Sequence, residues 1–468
     1  MAMRTGLQWV IEDAPGHMRV ADGGRMVNLY PEILPPTSKQ GPAPVVLYGT
    51  PGLATLTNVH TAPIRVLHVF QNDVLVVTSS RVYRLRADGS LTQIGTVVLE
   101  PGANVSITDN GIDAVLVDGV RGYRINYSRV EEITDGAFYP SNRVTYQDGY
   151  FIFNRANTSQ FFLSRIFDTT FDALMFASAE AVPDDLIAVF SLRQTLWLFG
   201  PRSIEFWYNA GDPDFPFNRI QGAFASQGLG APASIAAMDN SLIWLGGDRI
   251  IYRAEGYMPV RISSHAIENL IRDGEVGDAH AYTYTERGHA FYVITFPSLR
   301  LTVAYDASTG VWHERRNYDF GRQLPGTYVY AFGRHIVGDF QAGTLYTMSD
   351  DIRQDAGRPI VREAVSPPIT ADGSRMMMTR FELEMQGGIG LVMDQGSDPQ
   401  AMLQWSDDNG HTWSREHWAK IGKLGEYTTR VAWRRMGWFR DRRIRIRISD
   451  PVPVSMMRAW MEFERAKP

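Results

Sequence analysis

The 468-residue sequence contains no cysteine, which excludes disulfide frameworks, thiolate metal sites and cysteine nucleophiles and frees the fold from any need for an oxidising compartment. Long apolar runs are also missing: no stretch approaches the roughly 20 residues that cross a bilayer, which predicts a soluble chain without membrane insertion. Residues Met1 to Leu7 carry no basic cluster followed by an apolar run, so no secretory signal is expected and the chain reads as made without export. Strong charge of one sign is absent too. Lys and Arg number 46 against 51 Asp and Glu, a net of -5, which gives no global pull toward nucleic acid or anionic lipid. The ten histidines are scattered. His411/His417 and His280/His289 lack metal-ligand spacing, and no His-Glu-x-x-His run occurs. The glycines around Gly228 and Gly230 lack the strand, helix and Lys-Ser/Thr of a phosphate loop and read as turns. No catalytic, cofactor or metal residue is expected.

Hydrophobic residues at 44%, with 12% aromatics, supply a large packed interior, and 21% charged residues are too few for a disordered chain. The charge is uneven. From Arg358 onward there are 18 basic and 14 acidic residues, a balance of +4, so residues 1–357 hold -9 of the total -5.

Aligning the apolar runs exposes a repeat. Hairpins of alternating residues begin at positions 73, 113, 148, 194, 240, 288 and 333, separated by 35 to 48 residues, and each follows another short alternating strand. That spacing brackets the ~40 to 50 residue period of propeller blades. Isolated four-stranded sheets expose two edges and a bare face, and closing them around an axis hides most of both. The expectation is an all-β fold: a β-propeller over residues 64–350, with seven blades the count and six or eight left open. An open stack of blades or a sandwich is the alternative. Helices are scarce; the clear candidate is 264–271, with Ser263 or Ser264 as N-cap and Gly274 beyond its end.

Residues 1–63 are turn-rich, with Pro31, Pro35, Pro36, Pro42, Pro44 and Pro51, and read as an extended arm that wraps a neighbour or completes the ring. Residues 351–468 change to longer alternating strands, at 380–385, 402–405, 429–433, 443–448 and 459–463, which predict a β-sandwich with one solvated or partner-facing side. Six of the 11 tryptophans lie between Trp405 and Trp460. They serve either an aromatic core or a contact surface.

Two short patterns stand out in this last part. Ser406-Asp-Asp-Asn-Gly-His-Thr-Trp413 matches the Asp-box pattern, a tight turn in which Asp408 bonds backbone amides, Gly410 takes positive φ and Trp413 packs back; Ser406 and Thr412 complete it. Sialidase propellers carry several such boxes within their blades, so a carbohydrate-acting hydrolase or lectin is the alternative function. Between Arg430 and Arg447 the sequence holds eight arginines and one acid, Asp441. Alternation with isoleucine puts Arg443, Arg445 and Arg447 on one strand face, and with Arg430, Arg434 and Arg435 they form a candidate basic interface for phosphate or an acidic protein partner. The opposing reading is a solvated sheet face paired with nearby acids.

The segment 405–413, together with 422–427, 430–435 and 445–451, resembles the C-terminal signature of the packaged-DNA stabilisation proteins of P22-like podoviruses. These are also termed tail-hub or nozzle proteins, the counterpart of tail tubular protein B. The resemblance implies a structural virion protein of a short phage tail: a homohexamer below the portal and the head-to-tail adaptor ring, with docking surfaces for tail fibres or tailspikes and a tail needle or plug closing it. Genomic DNA would pass through its channel without sequence-specific binding. No catalytic residue and no cofactor carries over. The acidic balance of residues 1–357 suits a conduit that must not grip phosphate.

Overall fold

Runs such as Asp73–Thr78 and Ala114–Val117 are buried on both faces, which is why they read as near-continuous β-branched hydrophobics. A strand in that position must have a sheet packed against each side. The computed structural model, which describes residues 3–7, 24–34, 45–179, 182, 184–370 and 373–465, shows how this is met. Seven four-stranded antiparallel blades occupy residues 64–96, 106–132, 144–178, 188–225, 236–261, 280–314 and 325–349, the last completed by the strand Gly52–His60; the first five are separate sheets and the last two are parts of larger ones. The seven hairpins seen in the sequence are the second and third strands of these blades.

Each blade packs face to face on the next through its own apolar cluster. Val74 and Val76 of blade 1 face Ile336 and Leu345 of blade 7, whereas Leu75 and Val77 face Leu116 and Tyr123 of blade 2. The series continues through Val115 and Phe151, Phe161 and Leu196, Trp197 and Trp244, Ile243 and Tyr292, and Phe291 and Val337. Seven blades meet at seven interfaces, so the ring is closed. In blades 3 to 7 the first hairpin turns on two residues, both with positive φ: Asp148-Gly149, Arg193-Gln194, Asp239-Asn240, Arg287-Gly288 and Phe332-Gly333. Such turns match the right-handed twist of the strands they join.

The helix is His265–Ile271, between blades 5 and 6, with the Ser264 side chain accepting from the Ile267 amide. No helix among the described residues is long and apolar enough to cross a membrane.

Residues beyond the ring form a two-sheet sandwich. One sheet holds Leu29–Ile33, Val45–Gly49, Ser455–Arg465, Met376–Met385 and Val431–Phe439, with Met3–Leu7 also pairing on Ser455–Arg465. The other runs Arg25–Val27, Arg362–Val365, Asp441–Ile448, Gln400–Ser406 and His417–Lys420. Leu47, Phe381 and Met456 of the first meet Ala364, Leu403 and Ile446 of the second in one core.

The N-terminal arm is therefore divided between the two units. Its strands Arg25–Val27, Leu29–Ile33 and Val45–Gly49 belong to the sandwich, and Gly52–His60 belongs to blade 7, so the chain does not change unit at residue 63 alone. The reason is edge coverage: the last blade has three strands of its own and needs a fourth. Pro35, Pro36, Pro42 and Pro44 lie outside the described residues.

Candidate functional site

The Asp box closes the end of Gln400–Ser406. Asp408 accepts from the Thr412 amide at 2.8 and 2.9 Å and from the Thr412 hydroxyl at 2.5 Å, and Ser406 Oγ donates to it at 2.6 Å. The Gly410 amide donates back to Ser406 Oγ at 2.7 Å. These hydrogen bonds, first those of the Ser406 and Thr412 side chains and then the Thr412 amide, hold the Asp408 carboxyl far below the usual range. Gly410 has φ of +88°. The Ser406, Asp408 and Thr412 side chains are consumed within the turn, and Asp407 is paired with Arg442 on a neighbouring strand, so the motif shapes the chain.

Trp413 supports the turn through a partner the motif does not reveal. The Arg445 guanidinium lies 4.0 Å from the Trp413 ring centroid and donates to Gln404 Oε1. Burial, and then the charge of Arg447, pull Arg445 below the ordinary arginine value.

The arginine strand is mostly committed internally. Arg443 is only 3% exposed. Arg447 is bound to Glu363 on the adjacent strand. Neighbouring Arg442, equally buried, forms a bidentate pair with Asp407 at 2.6 and 2.8 Å, donates to the Met436 carbonyl at 2.7 Å, and lies 4.4 Å from the Phe439 ring. Arg443, Arg445 and Arg447 thus do not present an open basic face. The sheet order places Arg362–Val365 on one side of this strand and Gln400–Ser406 on the other, with acid and aromatic side chains in reach.

The remaining arginines point elsewhere. Arg430 is largely exposed, with Glu382 at 3.5 Å. Arg434 and Arg435 are exposed and have no ion pair among the described residues. They sit on Val431–Phe439, the edge strand of its sheet, where the register slips between Met378 and Arg380 and Arg435 takes φ of +59°. This bulge turns both side chains outward. Trp438, on the same edge, is 43% exposed, whereas Trp433 is in the core and donates its indole to the His417 carbonyl at 2.8 Å.

A charge ladder missed from sequence joins ring to sandwich. Glu314, on the outer strand of blade 6 and 2% exposed, takes both Arg25 nitrogens at 2.6 and 2.9 Å and Arg316 at 2.8 Å. Arg25 also reaches Glu363 at 3.7 Å, which binds Arg447. Burial alone would raise the Glu314 pKa, but the hydrogen bonds and charges of Arg25 and Arg316 outweigh it and leave the carboxyl below its ordinary value. Beside it, Asn28, at φ of +54°, donates to the carbonyls of Arg316 and Val361, both at 2.9 Å. The backbone follows suit, since Val27 pairs with Glu314 and makes blade 6 and the second sandwich sheet continuous.

Two family models match the chain: the β-propeller of bacteriophage P22 Gp10 over residues 16–353 and the Gp10 β-sandwich over residues 361–464. A closed propeller continuous with a sandwich is by these matches a phage structural protein. The chain belongs to the bacteriophage P22 Gp10 family, whose role is stabilisation of packaged DNA, and is a virion component. The resemblance read from residues 405–451 is borne out. Comparison with the curated proteins finds no match. Among solved structures, the chain is similar to the computationally designed protein Ika8 (12% identity, 64% of this chain and 99% of that one, TM-score 0.40). BamB from Moraxella catarrhalis gives 8% identity, 75% and 98% coverage and a TM-score of 0.41. PorZ of Porphyromonas gingivalis gives 12% identity, 78% and 46% coverage and 0.40. Likeness at that level carries no argument.

Proposed function

We propose that six copies of this chain form a ring that extends the DNA channel below the portal and adaptor, retains the packaged genome, and docks tail fibres or tailspikes and a needle or plug. The observation that carries the reading is the pair of Gp10 matches, which cover propeller and sandwich in order along the chain. Two features fit it. The exposed arginines Arg430, Arg434 and Arg435 lie at or on a strand whose outer edge is unpaired among the described residues, the kind of element that a neighbouring subunit or an acidic fibre segment completes. The -9 balance of residues 1–357 disfavours tight phosphate binding along a conduit wall. In this reading the chain is structural and not an enzyme.

The test is the mass of the assembled species. Native mass measurement on the purified chain with its adaptor partner is expected to show six 52.6-kDa subunits, and imaging of the virion to place that ring at the distal tail. A chain that stays monomeric beside its adaptor, or a tail without a sixfold ring of it, would overturn the proposal. Sugar-release assays are expected to read background.

A further inference from the structure

The sandwich has two ends of opposite character. Met376–Met385 and Val431–Phe439 in one sheet, and Gln400–Ser406 and Asp441–Ile448 in the other, all run from end to end. Their register groups Met385, Gln400, Val431 and Ile448 at one end and Met376, Ser406, Phe439 and Asp441 at the other, about 30 Å away for a nine-residue strand.

Two loops, 386–398 and 421–429, cover the first end. The Gly425 amide donates to the Gly388 carbonyl at 3.2 Å, and Ile389 and Ile421 root the loops in the sandwich core. A Cβ at Gly388 would stand 2.5 Å from the Tyr427 ring, so the loops touch closely. On this braced support Val392, Met393, Leu424 and Tyr427 face water, Val392 80% and Tyr427 73% exposed. Large apolar side chains grouped in that way mark a contact surface. The loops also carry three carboxylates, Asp394, Asp398 and Glu426, against one amine, Lys423. Asp398 is paired with Lys420 at 2.9 Å, and Arg430, beside the loops, with Glu382. Exposed Asp394 and Glu426 give the apolar group an acidic border.

The second end is basic. Arg375, Arg435 and Arg440 are exposed and form no ion pair among the described residues, with Asp441 and Glu464 the exposed acids nearby. The Arg375 guanidinium lies 5.5 Å from the centroid of the half-exposed Trp438 ring. Guanidinium groups and an indole present flat faces that take carboxylates, aromatic rings and apolar side chains. Like ends cannot meet without setting carboxylate against carboxylate or arginine against arginine. Unlike ends bring opposite charges and apolar surface together, and a head-to-tail contact of that kind repeats from copy to copy until a ring closes.

Resting on the six-copy reading and extending it, we propose that the loop end of one sandwich docks on the arginine end of the sandwich in the next copy of this chain. Asp394 and Glu426 face the guanidinium groups of Arg435 and Arg440, and Trp438 is covered by Val392, Met393 and Tyr427.

The experiment exchanges the charges. Two full-length variants are made, Asp394→Arg/Glu426→Arg at the loop end and Arg435→Glu/Arg440→Glu at the other, and native mass measurement follows their assembly with the adaptor partner. Thermal unfolding of each is expected to match the native chain, because all four side chains are exposed. Each variant alone sets like charges across every contact and is expected to need about a hundredfold more protein to assemble. An equal mixture sets opposite charges across every contact and is expected to recover the ring, with the two variants alternating. A ring formed by either variant alone at the native concentration, or a mixture that stays monomeric, would overturn the proposal. A native ring of other than six copies, with the exchange behaving as expected, would correct the six-copy reading and leave the contact standing.

Discussion

At the scale of single residues, the Asp box shows how far a local pattern determines its own geometry. Every bond of the turn joins residues within four positions of each other, from Ser406 to Thr412, so the pattern carries the conformation with it. Gly410 is the conformational requirement, since φ of +88° strains any residue with a Cβ. There is room for the atom, with the nearest neighbour, the Trp413 ring, at 3.8 Å. Gly410→Ala is therefore expected to cost about 1–2 kcal/mol, all of it backbone strain, measured as a lower denaturant midpoint for the chain. An unshifted midpoint would mean that the turn is not held as described. The arginines beyond it were legible only as a stripe. Their alternation along the strand predicted a shared face, but what covers that face comes from Glu363, Gln404 and Trp413, and periodicity in one strand says nothing of its neighbours.

At the scale of elements, the hairpins were readable because each satisfies its own needs locally. Two strands buried on both faces and joined by a turn of two to five residues leave a compact signature, repeated seven times. The strand that finishes blade 7 left none, because Gly52–His60 lies almost the whole length of the propeller away from its partner Gly343–Ser349. Closure by a distant strand makes the N-terminal segment a clasp, and Gly343 is where the fit is tightest. A Cβ there would stand 1.9 Å from the His60 carbonyl oxygen. Backbone cannot yield to that degree, so Gly343→Val is expected to displace the end of the clasp. Hydrogen exchange should then accelerate in residues 52–60 at least tenfold while blades 2 to 5 keep their protection. Uniform acceleration around the ring would show that blade 7 is not a separable closing unit.

At the scale of the whole molecule, the question is what keeps ring and sandwich from behaving as beads on a string. Few backbone bonds cross between them, and the charge ladder runs through the crossing: Arg316, Glu314, Arg25, Glu363 and Arg447. Exposed pairs contribute little, but Glu314 is almost fully buried beneath two guanidinium groups, and removing its charge takes from both the carboxylate they hold most closely. Glu314→Gln keeps the shape and is expected to lower stability by about 2 kcal/mol at neutral pH. The sign of the pH dependence follows from the direction of the shift. Because the folded carboxyl lies below its ordinary value of 4.5, its contribution is fully present above that value and is lost as pH falls through and below it. The gap between the native chain and Glu314→Gln should therefore be widest at neutral pH and close progressively in acid. Differential scanning calorimetry should also show the single transition of the native chain separating into two in the variant, since the joint loses the most buried carboxylate of its charge ladder. A pH-independent gap would mean that Glu314 stabilises by packing alone, and the coupling of ring to sandwich would have to reside in Asn28 and the continuous sheet instead.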